Sequence, residues 1–255
     1  MKRRGIAAAG MLAASLAAGQ TAEELIAKNI EARGGLENLK AVQSMRLTGT
    51  MHAGADSLPS VLELKRPNKS RWEFTLEGQT AVEAFDGKSG WTWIPFAGQT
   101  EPQPMSEEES LDAEQQADID GPLVDYEKKG SKVELLGHDP EFRPDDWKLK
   151  ITLKSGEVRF LYLDSKTYLQ TVSVLRRKVD GNDVEVRSEV SDYRKVGALV
   201  LPHTFKATMN DGSETQTLRF ERIDLNVPID DDRFKMPTPK RPADGVEPAP
   251  TPVVG

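Results

Sequence analysis

Three histidines, His52, His138 and His203, are the only imidazoles in the chain of 255 residues, and they stand far apart. None has a second histidine or a carboxylate at metal-ligand spacing, so no metal site is expected from them. Two acidic runs offer oxygen ligands: Glu107, Glu108, Glu109, Asp112 and Glu114, and then Asp230, Asp231 and Asp232. Neither alternates its ligands around a glycine as a calcium loop does, and both read as solvated charge. No G-x-S-x-G string places a serine on a strained turn, and no glycine-rich phosphate loop occurs. With 0 cysteines the chain also lacks a thiol nucleophile and thiolate metal ligands. Neither an enzyme nor a cofactor is expected.

The residues that rise above background do a different chemistry, non-directional contact with something apolar. Trp72, Phe74 and Leu76 alternate with Glu73 and Thr75. Trp91 and Trp93, then Trp147, Leu149 and Ile151, then Phe160 and Tyr162 repeat the same two-residue spacing, which places each set on one face of a strand. Gathered on one concave face they would form either a filled core or the wall of a hydrophobic cavity. A wide sheet needs a partner layer of similar area, and the sequence offers only two or three thin helices, which leaves room for a ligand.

The elements that must position these residues are mostly short strands joined by tight turns. Thr21 caps a helix whose apolar residues Ala22, Leu25, Ile26 and Ile30 recur at helical spacing, with Glu24 at the reciprocal capping position and Gly34 and Gly35 at its end. Leu36 to Val42 adds a short turn of helix. From Met45 the period becomes two, and strands follow through Asn226 with turns at Asp86–Gly87, Ser155–Gly156, Asp180–Gly181 and Asp211–Gly212. One interruption, Ser106 to Asp120, reads as a polar helix with a weak inner stripe, a lid more than a core helix, and Leu123 to Lys129 as another helical turn. The expected fold is mostly β with a few helices: a single curved antiparallel sheet, a half-barrel of about ten or eleven strands, with helices covering the concave face.

The ends differ from this body. Lys2, Arg3 and Arg4 precede an Ala-rich apolar stretch with small residues at Ala17 and Gly19, the pattern of a cleavable secretory signal over residues 1–19. From Pro237 to Gly255 the chain is a Pro-rich segment expected to be disordered, leaving residues 20–236 as one domain. A formal net charge of -7 with no basic stripe argues against nucleic acid as a partner. The signal segment predicts export, the absence of a lipidation cysteine predicts a protein that is soluble after cleavage and not lipid-anchored, and a monomer is expected.

Four strings, ARGGLENLKAVQSMRLTGTM (Ala32 to Met51), DGKSGWTWIPF (Asp86 to Phe96), DYRKVGALVLPHTF (Asp192 to Phe205) and NVPIDDDRFKMP (Asn226 to Pro237), resemble landmarks of outer-membrane lipoprotein-sorting proteins of the LolA-like superfamily. The resemblance implies an open, curved antiparallel half-barrel in the periplasm with helices across its mouth. It also implies a carrier that shields lipoprotein or lipid acyl chains on the way to the outer membrane, with inner- and outer-membrane transfer proteins as further partners. Some members instead act as regulators of envelope stress, which is the alternative function. The cavity wall expected on this basis comprises Trp72, Phe74, Leu76, Trp91, Trp93, Leu149, Ile151, Phe160 and Tyr162. Each exposed CH₂ costs about 0.8 kcal/mol, so a long acyl chain needs on the order of 10 kcal/mol of shielding.

Overall fold

The computed structural model describes residues 20–179, 182–209 and 215–238. The expected signal segment, the turns at Asp180–Gly181 and Asp211–Gly212, and the Pro-rich tail from residue 239 onward lie outside the described residues. Thirteen strands form one curved antiparallel sheet that does not close. The first group is β1 Ser44–Ala53, β2 Asp56–Lys65, β3 Lys69–Leu76, β4 Gln79–Phe85, β5 Gly90–Trp93 and β6 Gln103–Pro104. The second is β7 Lys132–Asp139, β8 Arg143–Thr152, β9 Val158–Asp164, β10 Gln170–Val179, β11 Asn182–Val196, β12 Leu199–Met209 and β13 Thr215–Leu225. The count exceeds the ten or eleven expected, in part because β6 has only two residues and lies in a stretch with no alternation to read.

Each group is a meander, and the two are joined in the middle, where β1 pairs with β13. The edges of the sheet are therefore β6 and β7, which are consecutive in sequence and farthest apart in strand order. The connection between them must travel from one edge to the other. It does so through the helix α3, Glu107–Gln116, and a run of turns that packs Val124 into the core. Leu123 to Lys129, expected to be a helical turn, belongs to these turns.

Two helices precede the sheet: α1, Ala22–Ala32, and α2, Leu36–Ala41. The Thr21 hydroxyl accepts from the Glu24 backbone N–H at 3.2 Å and the Glu24 carboxylate accepts from the Thr21 N–H at 3.3 Å, so the expected capping box is present. Gly34, with φ +115°, ends α1 where the backbone meets Ala198 and Leu199; any Cβ there would collide with the Ala198 carbonyl. On the covered, inner face of the sheet, α1 packs Ala22, Leu25 and Ile26 against Leu149, Ile151, Leu161 and Leu163. Around the β1–β13 seam, Leu39 of α2 joins Val42 and Val124 over Met45, Leu47, Leu62, Leu64, Phe220 and Ile223.

Candidate functional site

Strand register decides which side chains share the inner face. One row runs across β13, β1, β2, β3, β4 and β5 as Ile223, Leu47, Leu62, Trp72, Glu83 and Thr92. The rows beside it place Phe74 with Ala81 and Ser70 with Phe85 and Gly90. Trp72, Phe74 and Leu76 thus lie on the inner face, as expected. They join Met51, Leu58, Ala81, Ile94, Phe96 and Leu218 in a cluster drawn from strands, from the 3₁₀ turn Pro95–Ala97 and from Ile94, which caps that turn. Among the described residues no α-helix adds an apolar side chain to that cluster, and Leu76, Ile94, Phe96 and Leu218 stay half-exposed.

Other expected wall residues fall elsewhere. Leu149 and Ile151 are on the inner face but fully buried beneath α1, with no surface left for a ligand. Trp91 and Trp93 point to the outer face, because Phe85 pairs with Gly90 and so puts Gly90 and Thr92 inward. A C-terminal strap covers Trp91: its indole N–H donates to the Phe234 carbonyl at 2.9 Å, and Arg233 pairs with the buried Glu63 at 2.6 Å. The Trp93 indole N–H donates to the Gln99 carbonyl at 3.3 Å. Phe160 and Tyr162 also face outward, since Leu149 pairs with Leu161 and Lys148 with Tyr162. There Phe142 meets the Tyr162 ring edge-on at 5.3 Å, and the Tyr162 hydroxyl donates to Asp139 at 2.9 Å. These four aromatics do not line the inner face.

Over β3, β4 and β5 the inner face is covered by α3, and the cover is incomplete. Ser106 and Glu109 form a second capping box, with the Ser106 hydroxyl accepting from the Glu109 N–H at 3.2 Å. The underside of α3 offers only Ala113 and Ala117 to Phe85, with Met105 beside them. Gly90 lies directly under Met105, and a side chain there would occupy the place of the Met105 thioether. A cavity of about 370 Å³ remains, lined by Ser70, Trp72, Glu83, Ala84, Thr92 and Ile94 from the sheet and by Met105, Glu109, Asp112, Ala113 and Gln116 from the cover. That volume falls within the range of small-molecule sites.

The polar groups of this cavity were absent from the sequence expectation. Burial, followed by the nearby Glu109 carboxylate, pushes the Glu83 carboxyl above its ordinary range. The Thr92 hydroxyl is buried without a hydrogen-bond partner, and Thr92 is only 8% exposed. A readable signal did exist for Glu83, which stands between Ala81 and Phe85 at the two-residue period and interrupts an otherwise apolar face. Thr92 gave none, because a threonine between two tryptophans is an ordinary strand residue.

The far end of α3 is held firmly. Asp120 is buried and receives two hydrogen bonds from Arg66, at 2.6 and 2.9 Å, and one from Lys40 at 2.6 Å. Burial opposes the charge, yet these bonds hold the Asp120 carboxyl below its usual range. Arg33 donates to the Asp120 carbonyl at 2.9 Å, Lys129 binds Asp118, and Arg159 of β9 reaches Gln115. Among the described residues no group of histidines and carboxylates is placed to hold a metal ion, and no helix is long and apolar enough to cross a membrane.

No protein-family model matches the chain, and no curated protein matches it by sequence. Solved structures match its shape. A LolA superfamily protein from Nitrosomonas europaea superposes with a TM-score of 0.57 at 14% identity, covering 85% of this chain and 98% of that one. A domain described as an outer membrane lipoprotein-sorting protein from Vibrio parahaemolyticus gives 0.55 at 12% identity, covering 82% and 97%. A DUF1329 family protein from Desulfovibrio piger gives 0.56 at 10% identity, covering 84% and 96%. The chain has the LolA-like fold.

Proposed function

We propose that this chain is a periplasmic carrier that holds the acyl chain of a lipoprotein or lipid against the inner face of its sheet, for transfer toward the outer membrane. The observation that carries the reading is the half-exposed set Leu76, Ile94, Phe96 and Leu218 beside the buried Phe74, an apolar stretch of inner face to which, among the described residues, no α-helix adds an apolar side chain. An acyl chain laid there would remove its own surface and these half-exposed side chains from water, at about 25 cal/mol per Å² of apolar area. The contacts are non-directional, which suits a ligand that must be released. The fold shared with the solved sorting domain is consistent with this reading, and a polar lid on alanine contacts supplies an element that can move aside.

Native mass spectrometry of protein isolated from the envelope tests the proposal. An acylated species bound at one per chain is expected. Leu76→Glu and Leu218→Glu should each abolish that occupancy with the far-ultraviolet circular dichroism unchanged, whereas Trp93→Glu on the outer face should leave it intact. A chain that emerges empty, or bound only to another protein, contradicts the carrier reading and favours a regulatory role.

A further inference from the structure

We infer that the cavity beneath α3 is a subsite for an aliphatic ammonium group, held by Glu83 and the Thr92 hydroxyl with its alkyl part on Trp72 and Ile94. The inference rests on the reading of the inner face as a lipid-holding surface and adds the headgroup chemistry.

Three features converge on a cation. The side chains lining the cavity include three carboxylates, Glu83, Glu109 and Asp112, and no basic residue. Carboxylates alone make no site, but the Thr92 hydroxyl lies among them, more than nine-tenths buried and without a partner. A buried hydroxyl left without a hydrogen bond is costly, and a ligand donor placed between Thr92 and Glu83 would satisfy it. Thr92 and Trp72 flank Glu83 directly in register, so a ligand seated over Glu83 lies between them. The third feature is the apolar remainder of the lining, Trp72, Ile94, Met105 and Ala113, which suits methylene groups next to the charge. Trp72 also belongs to the uncovered apolar cluster, so a chain leaving the subsite continues onto the surface assigned to the acyl chain.

An ammonium is favoured over a metal ion. Among the described residues no set of carboxylates is grouped closely enough to ligate a metal, whereas an ammonium needs only two or three acceptors around it. The groups facing Glu83 are Trp72 and Thr92 on the adjacent strands and Glu109 and Asp112 on α3. With no basic group in that set, an incoming ammonium becomes the cation against which Glu83 ionises. Binding therefore draws Glu83 toward its ionised form: where the carboxyl is protonated its proton passes to the buffer, and the O–H bond broken there is replaced by an N⁺–H···O⁻ hydrogen bond.

Isothermal titration with dodecylamine, dodecanol and dodecanoate, each below its micelle concentration, tests the inference on the full chain. Dodecylamine should bind about tenfold more tightly than dodecanol, and dodecanoate more weakly than both. Glu83→Gln should bring amine and alcohol within about twofold of each other while leaving dodecanol unchanged, and Thr92→Val should narrow the gap in the same direction. In mild acid, near the ordinary carboxylate range, the amine heat should depend on the ionisation enthalpy of the buffer in the wild type and not in Glu83→Gln. Equal binding of amine and alcohol by the wild type overturns the inference and leaves the carrier reading standing; no binding of any of the three removes both. Competition arms identify the source of the amine. Displacement of dodecylamine by phosphatidylethanolamine but not phosphatidylglycerol supports a lipid headgroup, and displacement by 1,6-diaminohexane supports a free polyamine.

Discussion

The inner face of the sheet carries two capped helices of nearly equal length, and they cover it in different ways. α1 and α3 begin with the same device, a hydroxyl at the cap and a glutamate three residues on, so their first turns are equally well satisfied. Beneath α1, Leu25 and Ile26 interlock with Leu149, Ile151, Leu161 and Leu163, and the space is filled. Beneath α3, Ala113 and Ala117 reach Phe85, and a cavity remains. The size of the side chains on the underside separates a filled cover from an unfilled one. A helix with so little packing beneath it depends more on its own capping for order.

Breaking the filled side should have the largest effect. Leu25 is 0% exposed, and Leu25→Ala is expected to cost about 2–5 kcal/mol in urea unfolding, with a cavity opened under α1. Ala113→Gly under α3 should cost about 1–2 kcal/mol, the helix-interior propensity difference plus one small methyl group lost from Phe85. Comparable losses at the two positions would mean that α3 is as tightly built into the core as α1.

Asp120 joins the two covers, since Arg33 and Lys40 come from the α1–α2 segment and Arg66 from the β2–β3 turn. Asp120→Ala strands Arg66 among buried carbonyls. The expected loss is about 3 kcal/mol, at the low end for a broken buried pair because Arg66 and Lys40 keep some contact with water. The same change should free the C-terminal end of α3, so faster hydrogen exchange across residues 107–120 is expected before global unfolding. Exchange unchanged there would place the hinge elsewhere. Ser106→Ala should cost about 1 kcal/mol, confined to exchange rates in the first turn of α3 and leaving the unfolding midpoint in place.

The sequence makes the strands legible and leaves the faces ambiguous. Met45, Leu47 and Met51 alternate cleanly enough to identify β1 and its buried side, and both capping boxes could be read residue by residue. Yet alternation within a strand does not say which of its faces joins which face of the next. The number of residues in the intervening turn fixes that parity. Glu77 and Gly78 form a two-residue turn with positive φ at both positions, so Leu76 pairs with Gln79. The next turn holds four residues, closed by the Asp86 N–H donating to the Ser89 carbonyl, and it pairs Phe85 with Gly90. A two-residue Asp86–Gly87 turn would keep the same parity, so turn length does not account for grouping Trp91 and Trp93 with Trp72; residue type alone groups them, and their pairing with Ala84 and Val82 sets them outward. Between β8 and β9 the parity does change: five residues separate Thr152 from its partner Val158, so Phe160 and Tyr162 pair with Lys150 and Lys148 and face outward, where a two-residue Ser155–Gly156 turn would have set them beside Ile151 and Leu149. Large aromatics drew attention, whereas the unfilled part of the site is made by what is small or out of place: Gly90, Ala113, Thr92 and Glu83.

Two acids, the buried Asp120 and the half-buried Glu83, sharpen the contrast between clamp and cavity through pH, with opposite signs. Asp120 has its folded value depressed, so its contribution is present above the unfolded carboxylate value and is lost as the pH falls through the depressed folded value. Glu83 has its folded value raised by burial and by Glu109, so its contribution is full below the ordinary 4.5 and is lost as the pH rises through the raised folded value. Glu83→Gln keeps the group neutral at every pH. The variant and the wild type should therefore unfold at the same urea concentration in mild acid, and the variant should become the more stable as the pH rises. Asp120→Asn should show the reverse: a deficit at neutral pH that closes only in strong acid. Parallel curves for Glu83→Gln and the wild type would mean that water reaches the Glu83 carboxylate freely, and α3 would then cover that part of the sheet no better than solvent does.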